Sequence, residues 1–461
     1  MNAAQYFEMI RGKTVSFCGV GRSHLPLIEL YLNKGAVVSV RDKRSFEELG
    51  EDGPRLEKLG AKLILGEEYM KDLNEEIIFR TPGMKYYEPA LVEARKRGSA
   101  VTSEMETFFE LCPCKIYAVT GSDGKTTTTT ILSEFLKAAG KTVHLGGNIG
   151  KPLLPEIETI RETDCAVAEL SSFQLISMRQ SPDVAVVTNL SPNHLDMHKD
   201  MQEYIDAKKN IFLHQGAISR TILNADNEIT AAFADETRGD TWLFSRKEKP
   251  ARGCFCDGSA IYVQGEKVVL SLEEIKLPGW HNVENYMAAI SACWGDVPVD
   301  AIRKVAREFS GVEHRAEFVR ELDGVKYYND SIASSPTRTI SGTLSLYDRK
   351  IILICGGYDK HIPYDPLGPV ICEKVKTLIV MGATGPKIEE AVRNAENYSE
   401  NAPVILHAAD MQEAVNAARE AAQPGDVVSL SPASAAFDLY KNFEVRGRHF
   451  KELVHQLKPK R

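Results

Sequence analysis

The 461 residues carry 64 acidic against 56 basic side chains, a net charge of −8, with 43% apolar and 26% charged positions. This is the balance of an ordinary soluble globular chain of about three domains. The acidic excess argues against a general nucleic-acid binder, which needs a basic face. No apolar run reaches the roughly 18 residues that a membrane helix requires, so neither a nucleic-acid partner nor membrane insertion is expected.

Met1 to Arg11 lacks a long apolar core, so no signal peptide is expected. Nine scattered cysteines, an odd number, fit reduced thiols in the cytoplasm. Cys112-x-Cys114 and Cys254-x-Cys256 have the wrong spacing for zinc pairs and no histidine beside them, so they read as structural or incidental thiols.

The first hundred residues read as an α/β unit. Thr14-Val15-Ser16-Phe17-Cys18 is a strand, followed by Gly19-Val20-Gly21-Arg22-Ser23 and a helix through Leu32. A second strand, Ala36 to Val40, ends in Arg41-Asp42-Lys43-Arg44. This is a Rossmann-like start with an acid about twenty residues on, although His24 replaces the third glycine of the fingerprint. Leu63–Leu65 and Glu76–Phe79 add strands.

Lys115 to Val119 is a further strand, and it runs into Thr120-Gly121-Ser122-Asp123-Gly124-Lys125-Thr126-Thr127. The glycines let backbone N–H groups crowd an anion, and a helix start adds partial positive charge. Lys125 can reach the β/γ-phosphates and the Thr126 hydroxyl can ligate Mg²⁺. The following helix is expected over Thr128–Ala139, with Ile131, Leu132, Phe135 and Leu136 on one face.

Strands follow at Thr142–Leu145, Cys165–Leu170 and Val184–Leu190. Ligands of parallel sheets gather at carboxyl ends, which predicts that Asn148, Glu169, Ser171 and His194 lie near Lys125. Glu169 ends its strand as a candidate Mg²⁺ carboxylate. His194-x-Asp196-x-His198 could be zinc-like, but it lacks a cysteine or a third nearby histidine. A hard-metal or substrate-positioning role for His194 fits better.

Lys208 falls on the apolar stripe Met201, Tyr204, Ile205, Ile211 and Phe212. It can snorkel, or burial can lower its pKa enough for the free amine to take up carbon dioxide as a carbamate. The last third reads as a second doubly wound domain. Its strands are Phe318–Arg320, Lys326–Tyr328, Ile351–Cys355, Thr377–Met381, Val404–Leu406 and Val427–Leu430, with a helix over Met411–Ala422.

Together with Gly147-Asn148-Ile149-Gly150, Glu169-Leu-Ser-Ser-Phe-Gln174, Asn193-His194-Leu-Asp196, Tyr204-x-x-Ala-Lys208, Gly279-x-His281-Asn282-x-x-Asn285, His314-Arg315, Asn329-Asp330-Ser331 and Leu430-Ser-Pro-Ala433, the loop at 120–127 carries a resemblance. The chain resembles the Mur ligases of bacterial cell-wall synthesis over its whole length. The runs Glu169–Gln174 and Ser431-Pro-Ala…Phe437-Asp…Phe443-Glu…Arg446-Gly look like the D-glutamate-adding branch. A Rossmann-like start with Asp42 argues against a folylpolyglutamate-synthase-like ligase.

The resemblance implies an α/β fold of three domains: a Rossmann-like UDP-substrate domain over 1–106, a central P-loop ATPase with a mostly parallel sheet over 107–311, and a Rossmann-like C-terminal domain over 312–461. It implies ATP-dependent joining of D-glutamate to UDP-N-acetylmuramoyl-L-alanine through an acyl phosphate, with Mg²⁺, in a cytoplasmic monomer. By motif, Lys125, His194 and Lys208 would be catalytic. Gly121, Ser122, Asp123, Gly124, Lys125, Thr126, Thr127, Asn282, Asn285, Arg315 and Asp330 would bind ATP. Thr126, Glu169, His194 and carbamylated Lys208 would serve the metal. Gly21, Arg22, Ser23, Asp42, Arg44, Asn148 and His194 would hold the UDP substrate, and Ser334, Lys360 and Phe443 the D-glutamate. Asp123, Ile332 and Ala436 depart from the family, where asparagine, lysine and serine are common.

Overall fold

The computed structural model describes residues 1–21, 23–191, 198–264, 267–400 and 402–460. It divides into unit 1, Met1–Ile275 with His281–Arg307, and unit 2, Lys276–Trp280 with Glu308–Arg461.

Unit 1 holds two sheets. The first is built from Thr14–Cys18 (β1), Val37–Asp42 (β2), Lys62–Leu65 (β3), Ile77–Arg80 (β4) and Ala100–Thr102 (β5), in the order β3-β2-β1-β4-β5. Every neighbouring pair is parallel. The strand order reverses beside β1, so the carboxyl ends of β1 and β4 flank a crevice open to a ligand. Phe17 and Phe79 stack at 4.9 Å between these strands and Tyr31 packs edge-on against both.

The second sheet has nine strands: Lys115–Thr120 (β6), Val143–Gly147 (β7), Cys165–Glu169 (β8), Val184–Val187 (β9), Arg220–Asn224 (β10), Asp240–Ser245 (β11), Gly253–Cys256 (β12), Ala260–Val263 (β13) and Lys267–Ser271 (β14). Their order is β14-β13-β12-β11-β10-β9-β6-β8-β7. It is parallel from β7 to β12, and β13 and β14 close it as an antiparallel meander. Central strands β6, β8 and β9 are buried runs, as parallel strands covered on both faces must be.

Strands β10 to β14 were not legible in the sequence. Trp242 in β11 shows why. Its ring is flanked by Arg220 at 4.6 Å and Arg252 at 5.5 Å, so cations stand where an apolar alternation would be sought.

The helix after β6 runs from Lys125 to Ala138, three residues earlier than its apolar face suggests. Gly124 sets the start. It adopts φ +76° at the N-cap, and an added Cβ would meet Asn285 Oδ1 at 2.4 Å. Threonine is a weak helix former, yet five follow in a row. Back-bonds from Thr129 Oγ1 to the Lys125 carbonyl and from Thr130 Oγ1 to that of Thr126, at 2.7 and 2.8 Å, absorb their hydroxyls. Thr128 Oγ1 instead donates to Asn285 Oδ1 at 3.1 Å. Lys125 and Thr126 therefore sit in the first helical turn.

Unit 2 carries six strands: Glu317–Leu322 (β15), Val325–Asn329 (β16), Ile351–Gly356 (β17), Val375–Met381 (β18), Val404–His407 (β19) and Val427–Leu430 (β20). The order is β15-β16-β20-β17-β18-β19, parallel except for the β15–β16 hairpin. Asp330 follows β16 and is buried. Its carboxylate accepts from Thr343 Oγ1 at 2.6 Å, Ser431 Oγ at 3.3 Å and Ala316 N at 3.2 Å. Burial outweighs these donors and raises its pKa to about 6.

Two outcomes are expected. Gly124→Ala should lower the stability of unit 1 by about 1–3 kcal/mol in urea denaturation, because alanine resists positive φ and its Cβ strikes Asn285; unchanged stability would refute this account of the turn. An acid raised in the folded state adds stability that is whole below its unfolded pKa and is lost as pH rises through about 6. The melting temperature of Asp330→Asn relative to the parent should therefore climb from about pH 4.5 to about pH 7.5, and a flat difference would contradict the buried-acid reading.

Candidate active site

The loop 121–124 is fixed by what surrounds it. Ser122 N donates to Asn189 O at 2.8 Å, and Asp123 N donates to Asn189 Oδ1 at 2.9 Å. Thr188 Oγ1 donates to Asp123 O at 2.6 Å, and a Cβ on Gly121 would overlap that hydroxyl. Ser122 Oγ lies 3.0 Å from the Tyr204 hydroxyl.

Two ammonium groups approach this turn. Lys125 Nζ donates to the carbonyls of Gly121 at 3.0 Å and Ser122 at 2.8 Å. Lys208 Nζ donates to the same Gly121 carbonyl at 2.9 Å and to Thr120 Oγ1 at 3.0 Å. Lys208 is 2% exposed and stands 5.0 Å from the Tyr204 ring centre, so it is buried rather than snorkelling. Burial drives its pKa well down, the Lys125 charge pushes the same way, and Glu169 opposes both.

Glu169 ends β8 and is buried. Its Oε1 accepts from Asn148 Nδ2 at 2.7 Å, while Oε2 is buried without a hydrogen-bond partner among the described residues. The chain can pass this closely because Gly147 has φ +94°; a Cβ there would lie 2.3 Å from Glu169 O. Ser171 forms a reciprocal cap with Gln174. Lys125, Lys208, Glu169 and Asn148 thus belong to one neighbourhood. Thr126 is buried in the first turn, Thr127 is partly buried and Asp123 is exposed. Asn285 Nδ2 donates to Asn282 Oδ1 at 3.2 Å, which ties both asparagines to the Gly124 turn. Arg22, Asn193, His194 and Asp196 lie outside the described residues.

A 460 Å³ cleft joins the carboxyl ends of the first sheet to the Gly147–Gly150 turn. Gly21, Ser23, Asp42 and Asn148 line it. Arg44 does not. Its side chain bonds Asp42 at 2.9 and 3.0 Å, which holds that carboxylate below its ordinary pKa against the opposing effect of burial. His24 fills the third-glycine position from within: its Nδ1 sits 2.8 Å from Gly19 O, and burial lowers its pKa to about 4. Glu104, also in the wall, accepts from Leu153 N and Leu154 N at 2.7 and 2.9 Å.

Unit 2 gathers a second set beyond β16, β17 and β20. Arg315 is exposed between His314 and Ala316, whose φ values are +66° and +43°. Ala316 N bonds Asp330, as described. Ser334 N donates to Ile332 O at 2.8 Å. Lys360 is exposed on the turn after β17. Phe443 opens the last helix, packs edge-on to His314 at 5.9 Å and accepts from Ser331 Oγ at 2.8 Å. Arg446 is buried and donates to the carbonyls of Ser331, Ser434 and Ala435 within 3.0 Å.

Sequence reasoning missed Thr188, Asn189, Glu104 and Gln174. The carboxyl-end rule applied to β9 would have reached Thr188 and Asn189, had that strand been ended at Val187 rather than Leu190. Nothing local marks Glu104, whose partners lie about fifty residues away.

Comparison with known proteins places the chain in a family. Residues 119–293 match the Mur ligase middle domain and residues 314–434 the Mur ligase, glutamate ligase domain. A "UDP-N-acetylmuramoylalanine--D-glutamate ligase" of Clostridium kluyveri is 50% identical over 457 residues, 99% of each chain. One of the same name from Acetivibrio thermocellus is 52% identical over 456 residues, 98% of each. Among solved structures, UDP-N-acetylmuramate-alanine ligase from Thermotoga maritima shares the fold at 17% identity, with a TM-score of 0.58 over 97% of this chain and 100% of that one. With a glycine-rich turn under two converging lysines and such relatives over nearly its full length, the chain belongs to the Mur ligase family.

Proposed function

We propose that the chain is an ATP-dependent ligase that adds D-glutamate to UDP-N-acetylmuramoyl-L-alanine in peptidoglycan precursor synthesis. This would be a cytoplasmic step toward the wall on which cell shape and division depend. The observation that carries the reading is the meeting of Lys125 and Lys208 on the Gly121 carbonyl beside Glu169. The printed names of the relatives supply the choice of substrates.

A carboxylate is a poor acyl donor until it carries a leaving group. Its oxygen would attack the γ-phosphorus of ATP, the bond to the β-phosphate oxygen would break, and ADP would depart. The amine of D-glutamate would then attack the acyl carbon. Loss of an amine proton and of inorganic phosphate would leave the amide. Such chemistry rests on positioning and on neutralising phosphoryl charge.

Lys125 would neutralise that charge, and the N–H groups of the helix start that follows the Gly121–Gly124 turn would frame it. Asn285 backs the Gly124 turn and bonds Asn282, and Arg315 and Asp330 are assigned to ATP by motif. Gly21, Ser23, Asp42 and Asn148 would hold the UDP substrate, with Arg22 and His194 assigned by motif. Arg44 would act through Asp42. Ser334, Lys360 and Phe443 would receive D-glutamate.

The donor set fits a hard cation. Glu169 keeps a buried oxygen without a partner among the described residues, and the Thr126 hydroxyl lies in the first helical turn. Glu169, Thr126, His194 and a carbamylated Lys208 would hold Mg²⁺, which when bound neutralises phosphate charge. For the carbamate, the neutral Nζ would form a bond to carbon dioxide and release one proton. Burial beside Lys125 favours that neutral amine.

Phosphate release from ATP with UDP-N-acetylmuramoyl-L-alanine should require D-glutamate, and equal release with L-alanine, L-lysine or diaminopimelate would overturn the substrate assignment. Lys125→Ala should lower kcat by about 10²–10³-fold. Lys208→Ala should lose activity that short-chain carboxylates partly restore; absence of rescue, together with no added mass on Lys208, would remove the carbamate.

A further inference from the structure

β4 ends on a buried cation for which the proposed chemistry has no use. Arg80 is 1% exposed. Its Nη2 donates to Phe173 O at 3.0 Å and to Ser177 Oγ at 2.6 Å, and its Nη1 reaches Met84 O at 3.4 Å. Ser177 Oγ in turn donates to Glu106 Oε2 at 2.8 Å, an oxygen that also accepts from Ser103 Oγ at 2.7 Å. The guanidinium thus meets its balancing charge through a hydroxyl. Burying such a group costs more than an apolar side chain of similar bulk, so its return must lie in what the planar fork holds in place.

What it holds is specific. Arg80 and Ser103 both line the 460 Å³ cleft. Phe173 belongs to the short helix Ser172–Leu175, which begins three residues after Glu169. The Phe173 ring stacks on His198 at 5.3 Å with planes 7° apart, and Ser172 Oγ lies 2.9 Å from His198 Nε2. A chain of contacts therefore runs from the cleft wall through Arg80 to the segment carrying Glu169. The strand and the helix come from the two different sheets of unit 1, and 93 residues separate Arg80 from Phe173.

We propose that Arg80 is a positioning residue that locks the helix after Glu169 to the nucleotide-sugar cleft, so that a substrate in the cleft and the Glu169 carboxylate keep one register. The assignment of the cleft to a nucleotide sugar rests on the function proposed above.

The experiment compares Arg80→Met, Arg80→Lys and Ser177→Ala with the parent in steady-state kinetics. Calorimetric binding of UDP-N-acetylmuramoyl-L-alanine, without ATP or amino acid, runs alongside. Arg80→Met should raise KM for the nucleotide sugar and lower kcat, each by roughly tenfold, while KM for ATP stays within about twofold. Arg80→Lys should recover part of both, and Ser177→Ala should fall between. Parent-like constants in folded Arg80→Met would overturn the proposal. So would a loss that merely tracks the unfolded fraction, with KM values unchanged. If Arg80→Met does not fold, Ser177→Ala and Arg80→Lys decide by the same KM–kcat pattern. A parent enzyme that binds the nucleotide sugar but joins a different amino acid would refute the function proposed above and leave Arg80 to be judged on binding. A parent that does not bind the nucleotide sugar would remove both.

Discussion

One carbonyl oxygen, that of Gly121, accepts from two lysine ammonium groups. Two cations that close to one another repel unless something favours them. In the buried surroundings of Lys208 the outcome is a lysine pushed toward its neutral form. Lys125 stands in the first helical turn and is only partly buried. The same residue type thus meets two environments at one carbonyl. Burial, not identity, separates them.

This arrangement needs the glycine-rich turn to be rigid. Asn189 receives the amides of Ser122 and Asp123, Thr188 holds the Asp123 carbonyl, and Asn285 presses on Gly124 from a helix far along the chain. With the Ser122 and Asp123 amides engaged by Asn189, the anion-binding donors left to the motif are those of the helix start that the turn holds in place. The neighbouring Asp42–Arg44 pair works in the same spirit. Arg44 bonds the acid and the Val20 carbonyl, which fixes the carboxylate at the edge of the cleft.

Much of this was legible before any coordinates. Largely apolar runs marked β1, β6, β8, β17 and β20, because a strand covered on both faces has little polar side to show. The carboxyl-end rule led to Asn148 and Glu169, and helical periodicity placed Lys208 on its buried stripe. Other features escaped for physical reasons. The helix start at Lys125 is set by the backbone freedom of Gly124 and not by any apolar pattern. Strands β10 and β11 mix Arg220, Asp240 and Trp242 in one ion-paired, ring-stacked cluster, which hides alternation. Glu104 and Arg80 act on backbone groups distant in sequence, and such contacts leave no local trace.

The close passage at Gly147 has a mechanical consequence. With no side chain at that point, the turn after β7 and the end of β8 lie at backbone contact; the Asn148 backbone N–H donates to the Glu169 carbonyl and its side-chain Nδ2 to the Glu169 carboxylate. Two loops joined this way form a strut rather than two independent arms. A displacement of the Gly147–Gly150 turn would be passed to the Glu169 carboxylate through these bonds. Tolerance for movement at this place is therefore lower than the solvent exposure of Asn148 would suggest.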